Sequence, residues 1–130
     1  MKDGEVVYEI PLSPTNLHRE ELIDELNAFE EHFQKVSKIF NALSNQTRLM
    51  MMKRLIQKRN RTITFSDFMM DMHLNPKLVW ENTKKLREGG LLEKTGRGQY
   101  RCSEFGETGF IMISRILRRL IEEVDEFGNF

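Results

Sequence analysis

SDFMMDMHLNPKLVWENTKKLREGGLLEKTGRGQYRCS, residues 66–103, carries the punctuation that decides the fold. Ser66 is placed to cap a short helix, Asp67 to Met72, and His73-Leu74 reads as a turn. Asn75 caps the next helix, and Pro76 takes its first position, where a missing N–H costs nothing. That helix runs to about Glu88 and stops at Gly89-Gly90. Leu91–Glu93 and Gln99–Ser103 are then two short strands, joined by the glycine-bearing hairpin loop Lys94-Thr95-Gly96-Arg97-Gly98. Tyr100 and Cys102 share the inner face of the hairpin, while Gln99 and Arg101 point out. The order predicts a helix-turn-helix over Ser66–Gly90 with the hairpin after it as a wing.

Upstream, Ser44-Asn45 opens a helix through about Lys58, with Leu49, Met52, Leu55 and Ile56 apolar. Arg59-Asn60-Arg61 is a turn, and Thr62-Ile63-Thr64 a short β-prone stretch. Further back, Leu22, Leu26, Phe29, Phe33, Val36, Phe40 and Leu43 fall at alternating spacings of 4 and 3, a heptad seam lined with acids. Capped by Thr15 or Asn16 and continuous over 15–43, that helix would be ~43 Å long, too long for a compact domain of this size to cover. Residues 1–14, where Val6, Tyr8, Ile10 and Leu12 alternate, read as an extended arm. Ser103 caps a last helix whose Phe110, Ile113, Leu117, Leu120, Val124 and Phe127 keep the same 3, 4 spacing. The expected architecture is mainly α with a small β-hairpin wing. An arm (1–14) and an N-terminal dimerisation helix (15–43) precede the winged helix-turn-helix domain (44–104), and a C-terminal dimerisation helix (105–130) follows it.

At 130 residues the chain has room for one domain with a core and helical extensions. No apolar run approaches the ~20 residues that span a bilayer, and 1–9 carry acids and no apolar stretch, so neither a membrane partner nor a secretory signal is expected. One cysteine excludes an intramolecular disulfide and fits a reducing compartment, so the expected location is cytoplasmic. The net charge is zero, but its distribution is uneven. Residues 1–35 hold three Lys/Arg against nine Asp/Glu, a sum of −6; residues 36–101 hold fourteen against five, +9; residues 102–130 hold three against six, −3. A ligand meets the local field, and the basic middle favours an anionic partner.

In the helix from Pro76 to Glu88, Val79, Thr83 and Leu86 share one side and would pin it to the core, with Asn82 nearer that side. Lys77, Glu81, Lys84 and Glu88 project opposite, with Leu78, Trp80 and Lys85 at the edges. An α-helix fits the major groove of B-DNA. Lysine donates to guanine O6 or N7, glutamate accepts from cytosine N4, and Trp80 can lie against a thymine methyl or a sugar. Lys77, Leu78, Trp80, Glu81, Lys84 and Lys85 are therefore the candidate recognition residues, with Lys85 better placed for phosphate. Lys94, Arg97, Gln99 and Arg101 form a second patch on the wing, Arg97 reaching phosphate or the minor groove. Arg48 and Ser66 are further expected phosphate contacts. Judged alone, the helix could be an ordinary solvated surface and the hairpin an ordinary basic turn; their pairing is what points to DNA.

The stretch from Phe40 to Gly106 resembles the winged helix-turn-helix regulators of the ArsR and MarR kind. The likeness rests on Ala42-Leu43-Ser44-Asn45-Gln46-Thr47-Arg48-Leu49, on Phe65-Ser66-Asp67-Phe68, on Leu86-Arg87-Glu88-Gly89-Gly90-Leu91-Leu92, and on Gly98 to Gly106. It covers about half the chain. The resemblance implies a homodimer formed by the first and last helices, with Pro76–Glu88 of each protomer in one major groove. Leu22, Leu26, Phe29 and Phe33, with Phe110, Ile113, Leu117, Leu120 and Val124, are the interface residues the two seams supply. Metal sensors of the ArsR type carry a cysteine pair near the recognition helix, or acid and histidine ligands on the last helix. Residues 66–88 hold no cysteine and the last helix no histidine, so no metal is expected; His18, His32 and His73 are scattered.

Cys102 reads as a small core residue, with redox sensing the alternative. Met50, Met51, Met52, Met69, Met70 and Met72 read as core filler in preference to a ligand-binding patch. No glycine-rich phosphate loop, Ser-His-Asp spacing or paired-carboxylate motif suggests an enzyme or a cofactor. The expected function is sequence-specific regulation of transcription by a homodimer on promoter duplex DNA, with any small-molecule effector left open. The alternatives are a non-specific architectural DNA-binding protein and a winged-helix protein–protein module of the transcription machinery.

Overall fold

The structure, a computed structural model, describes residues 18–126. Their contacts group into two compact units divided between Gln34 and Lys35. In the first, α1 (Arg19–Glu30) has Glu20 and Glu21 in its first turn, where carboxylates complement the positive end of a helix. The expected single helix over 15–43 is two helices. The Glu31 amide still donates to Asn27 O at 3.2 Å, but the His32 amide donates only three residues back, to Phe29 O at 3.0 Å. This tighter turn ends α1, and α2 (Phe33–Leu43) begins directly after it. A heptad pattern reports which side chains share a face; a local switch from four-residue to three-residue bonding leaves that spacing intact, so the seam concealed the break. Phe29 and Phe33 meet edge-on across it, ring centroids 5.2 Å apart. No residue of α1 is buried. The arm, the caps proposed at Thr15 or Asn16, and Phe127 lie outside the described residues.

In the second unit α3 (Gln46–Gln57) starts where expected, Asn45 Oδ1 accepting from the amides of Thr47 (2.8 Å) and Arg48 (3.3 Å). After β1 (Thr62–Thr64) the chain enters α4 (Phe65–Met72) without a pause. The cap of α4 is Thr64, whose Oγ1 accepts from the Asp67 amide at 3.0 Å. Ser66 is not the cap: the strand ends at Thr64, which leaves Ser66 inside the first helical turn. His73 closes α4 in the left-handed region (φ 53°). α5 (Pro76–Glu88) has the predicted bounds, with Asn75 Oδ1 accepting from the Leu78 amide at 2.9 Å.

The hairpin of β2 (Leu92–Gly96) and β3 (Gln99–Cys102) is longer and tighter than expected. A bulge between Lys94 and Gly96 absorbs Thr95 into the strand, and the turn shrinks to Arg97-Gly98, Gly98 taking φ +68°. β1 pairs antiparallel with β3, completing a sheet of order β1-β3-β2 in which Ile63 faces Tyr100. The Phe65 amide donates to Gly98 O at 2.8 Å, which ties the turn to the start of α4.

The core lies between this sheet and the helices. Phe68, Met51, Met52, Leu55, Leu86, Leu91 and Val79 are fully buried, and Tyr100 packs its ring 6.3 Å from that of Phe68. Of the six methionines read as core filler, Met51 and Met52 are buried and Met69 and Met72 pack against the core, but Met50 and Met70 face solvent, Met70 at 72% exposure. α6 (Glu104–Glu126) begins on Ser103, whose Oγ accepts from the Gly106 amide at 2.7 Å and donates to Gly90 O at 2.6 Å. Among the described residues no helix is long and apolar enough to cross a membrane.

Candidate nucleic-acid interface

α5 is held from below by Val79, Thr83 and Leu86, each at most 2% exposed, and by Asn82. The opposite face is open: Lys77, Trp80, Glu81, Lys84 and Glu88 are exposed, with Leu78 beside them and Lys85 half-buried. A helix fixed through one side and open on the other presents its polar groups at fixed spacing. Lys77 Nζ lies 4.0 Å from Glu81 Oε1, one turn on. Trp80 is 57% exposed, and Lys84 Nζ sits 5.2 Å from the centre of its ring.

Beside this face lies an open hollow of ≈ 460 Å³, where Trp80, Lys84 and Lys85 of α5 meet Asn45 and Thr47 at the start of α3. Asn45 and Thr47 were absent from the sequence candidates. Their signal, a helix cap, reads as local structure and not as a site.

Arg48 departs from expectation. Its side chain is buried, the residue being 9% exposed, and its nitrogens donate to Ala42 O (Nε, 2.8 Å), Asn82 Oδ1 (Nη1, 2.9 Å) and Asn41 O (Nη2, 2.8 Å). Burial pulls its pKa below the ordinary value for arginine. A guanidinium spent on internal acceptors is a bracket and not a phosphate contact: it joins the end of α2 to the middle of α5. Asn82 completes the bracket by donating from Nδ2 to Leu78 O at 2.8 Å. Ser66 is exposed on the first turn of α4.

On the hairpin, Lys94, Arg97, Gln99 and Arg101 are all exposed. Arg97 stands at the turn. Arg101 is held by Glu93, its cross-strand neighbour, at 2.8 Å, so that its charge is partly neutralised. Cys102 lies on the buried face beneath. Burial first, and then Glu107 and Glu93 against the opposing Arg61, push its thiol up to about 11. A thiol so protonated at neutral pH is a poor redox nucleophile.

The seam residues are described unit by unit. In the first unit Leu22 is half-buried, while Leu26, Phe29 and Phe33 are exposed. On α6, Phe110 packs partly against the core, Ile113, Leu120 and Val124 are half-buried and Leu117 is 52% exposed. Phe110, Ile113, Leu117 and Ile121 line an apolar groove of ≈ 420 Å³ with Leu43 and Leu49. Among the described residues no three His, Cys, Asp or Glu side chains are grouped as a metal site would need.

No protein-family model matches the chain, and no curated protein sequence matches it.

Proposed function

We propose that the protein is a sequence-specific DNA-binding regulator of transcription, built as a winged helix-turn-helix and acting as a homodimer on promoter DNA. The observation that carries this reading is the open face of α5, on which donors, an acceptor and an indole are spaced along a helix whose other side is locked into the core. The major groove admits an α-helix, and this face carries groups of the kind that read base edges there. Arg97 at the hairpin turn supplies a sequence-independent contact to phosphate or to the minor groove. The exposed seam residues and the apolar groove along α6 support pairing of two copies. Two α5 helices would then reach successive major grooves about 34 Å apart on a pseudo-palindrome.

Selection of binding sites from random duplexes at physiological salt tests the reading, followed by titration of the recovered and scrambled sequences. Lys84→Ala is expected to relax base preference, and Arg97→Ala to weaken every duplex alike and flatten the salt dependence by about one counterion. Equal losses on both kinds of duplex for both variants would remove base readout from α5 and leave an architectural protein. Binding to duplex no tighter than to polyglutamate would leave a protein–protein module.

A further inference from the structure

The open face of α5 carries two apolar side chains among its charges. Trp80 is 57% exposed, and Leu78, two residues before it, is also open to solvent. Both line the hollow shared with Lys84 and Lys85. A lysine ammonium is strongly hydrated and ordinarily mobile on its four-carbon stem. Here Lys84 Nζ lies over the indole, 5.2 Å from its centre, so an apolar surface and a donor stand side by side on one turn of α5.

That pairing selects a ligand. In the major groove the apolar group that a base presents is the C5-methyl of thymine, which 5-methylcytosine also carries. The strongest acceptor pair is guanine O6 and N7. Successive base pairs rise 3.4 Å along each strand. A methyl on the free surface of the indole and an acceptor reached by the ammonium beside it, both met from one turn of a helix in the groove, fall on adjoining base pairs and not on distant ones. Resting on the DNA-binding reading above, we infer that Trp80 and Lys84 together read a C5-methylated pyrimidine adjacent to a guanine. Thymine–guanine and 5-methylcytosine–guanine steps are the two sources of that chemistry.

The two side chains have unequal parts in this site. Trp80 supplies the methyl contact and also holds Lys84 in place, so losing it damages both readings. Lys84 supplies only the guanine contact, so losing it leaves the methyl contact standing.

The test uses the full chain and a duplex recovered by site selection, synthesised with thymine, deoxyuracil, cytosine or 5-methylcytosine at the pyrimidine position. One buried methyl group stabilises by ~0.8 kcal/mol, which is about fourfold in affinity. The wild-type protein is expected to bind thymine about fourfold tighter than deoxyuracil, and 5-methylcytosine about fourfold tighter than cytosine. In Trp80→Ala both ratios fall to about one, and discrimination at the neighbouring guanine weakens. In Lys84→Ala both methyl ratios persist while the guanine preference is lost. A selected duplex that binds tightly but gives methyl ratios of one overturns the inference and leaves the DNA-binding reading intact; Trp80 then packs on a sugar. Methyl ratios that survive in Trp80→Ala overturn it as well. Failure of any duplex to outcompete polyglutamate overturns both readings together.

Discussion

Replacing Arg48 separates a bracket from a phosphate contact. Its three hydrogen bonds, all at 2.8–2.9 Å, reach two backbone carbonyls at the end of α2 and the amide oxygen of Asn82 on α5. Arg48→Met refills most of the volume but leaves Ala42 O and Asn82 Oδ1 buried without their donor, at roughly 1–3 kcal/mol each. Removing a buried positive charge offsets part of that loss, so the net expectation is roughly 2–4 kcal/mol of lost stability. In urea, with a slope of about 2 kcal/mol per molar, the midpoint should fall by roughly 1–2 M. Trp80, the only tryptophan in the chain, lies on α5 and gives the fluorescence readout at the helix being tested. Arg48→Lys keeps the charge but cannot span three acceptors with one ammonium, so it should lose most of the same stability. A double-mutant cycle with Asn82→Ala should return a coupling of about 1 kcal/mol or more. The reasoning fails if both Arg48 variants unfold within about 0.5 kcal/mol of wild type while the salt slope of DNA binding drops by about 0.9, the signature of one lost phosphate contact.

Gly106→Ala should cost roughly 2–4 kcal/mol by thermal or urea unfolding, because the new Cβ would collide with Leu91 O and force α6 off its Ser103 cap; a loss under 0.5 kcal/mol would show that the junction yields freely. Cys102 makes stability fall in alkali. The folded thiol keeps its proton to about 11 and the unfolded one releases it from about 9, so stability is intact below the lower value and declines as pH rises between the two, at up to roughly 1.4 kcal/mol per unit. Cys102→Ala should lack that component, and wild type and variant with parallel pH–stability curves from 8 to 11 would contradict it. Glu93→Gln releases Arg101 from its partner and should tighten binding to all duplexes and steepen the salt slope by up to about one counterion; unchanged binding would show that Arg101 points away from the duplex.

Local punctuation made much of this legible. Asn75-Pro76 and Gly89-Gly90 mark both ends of α5, because a cap and an imino acid favour a helix start where they stand and Gly90 readily takes the left-handed φ of +74° that follows the helix end. The buried trio Val79, Thr83 and Leu86 followed from helical spacing alone. Features decided by distant partners stayed hidden. Thr64 and Ser66 offer the same hydroxyl, and only the end of β1 determines which of them meets the Asp67 amide. The bulge at Thr95 has no compositional mark, since it arises from the register against β3. Arginine is rarely buried, and nothing local marks Arg48 as an exception: its acceptors come from α2 and from Asn82, thirty-four residues later. The exposed face of α5 was the most readable part of the candidate site, and the hollow behind it, made by two helices, the least.

The hydrogen bond from the Phe65 amide to Gly98 O fastens the β-turn to the body of the unit. A hairpin so anchored cannot swing as a loose flap; to lift away it must first release an amide that sits at the junction of β1 and α4. Phe65 is thus a built-in gauge of hairpin opening. Its deuterium uptake, followed residue by residue, would time the loop's excursions from a position over thirty residues upstream, and any partner that clamps the turn should slow that single amide more than its neighbours in α4.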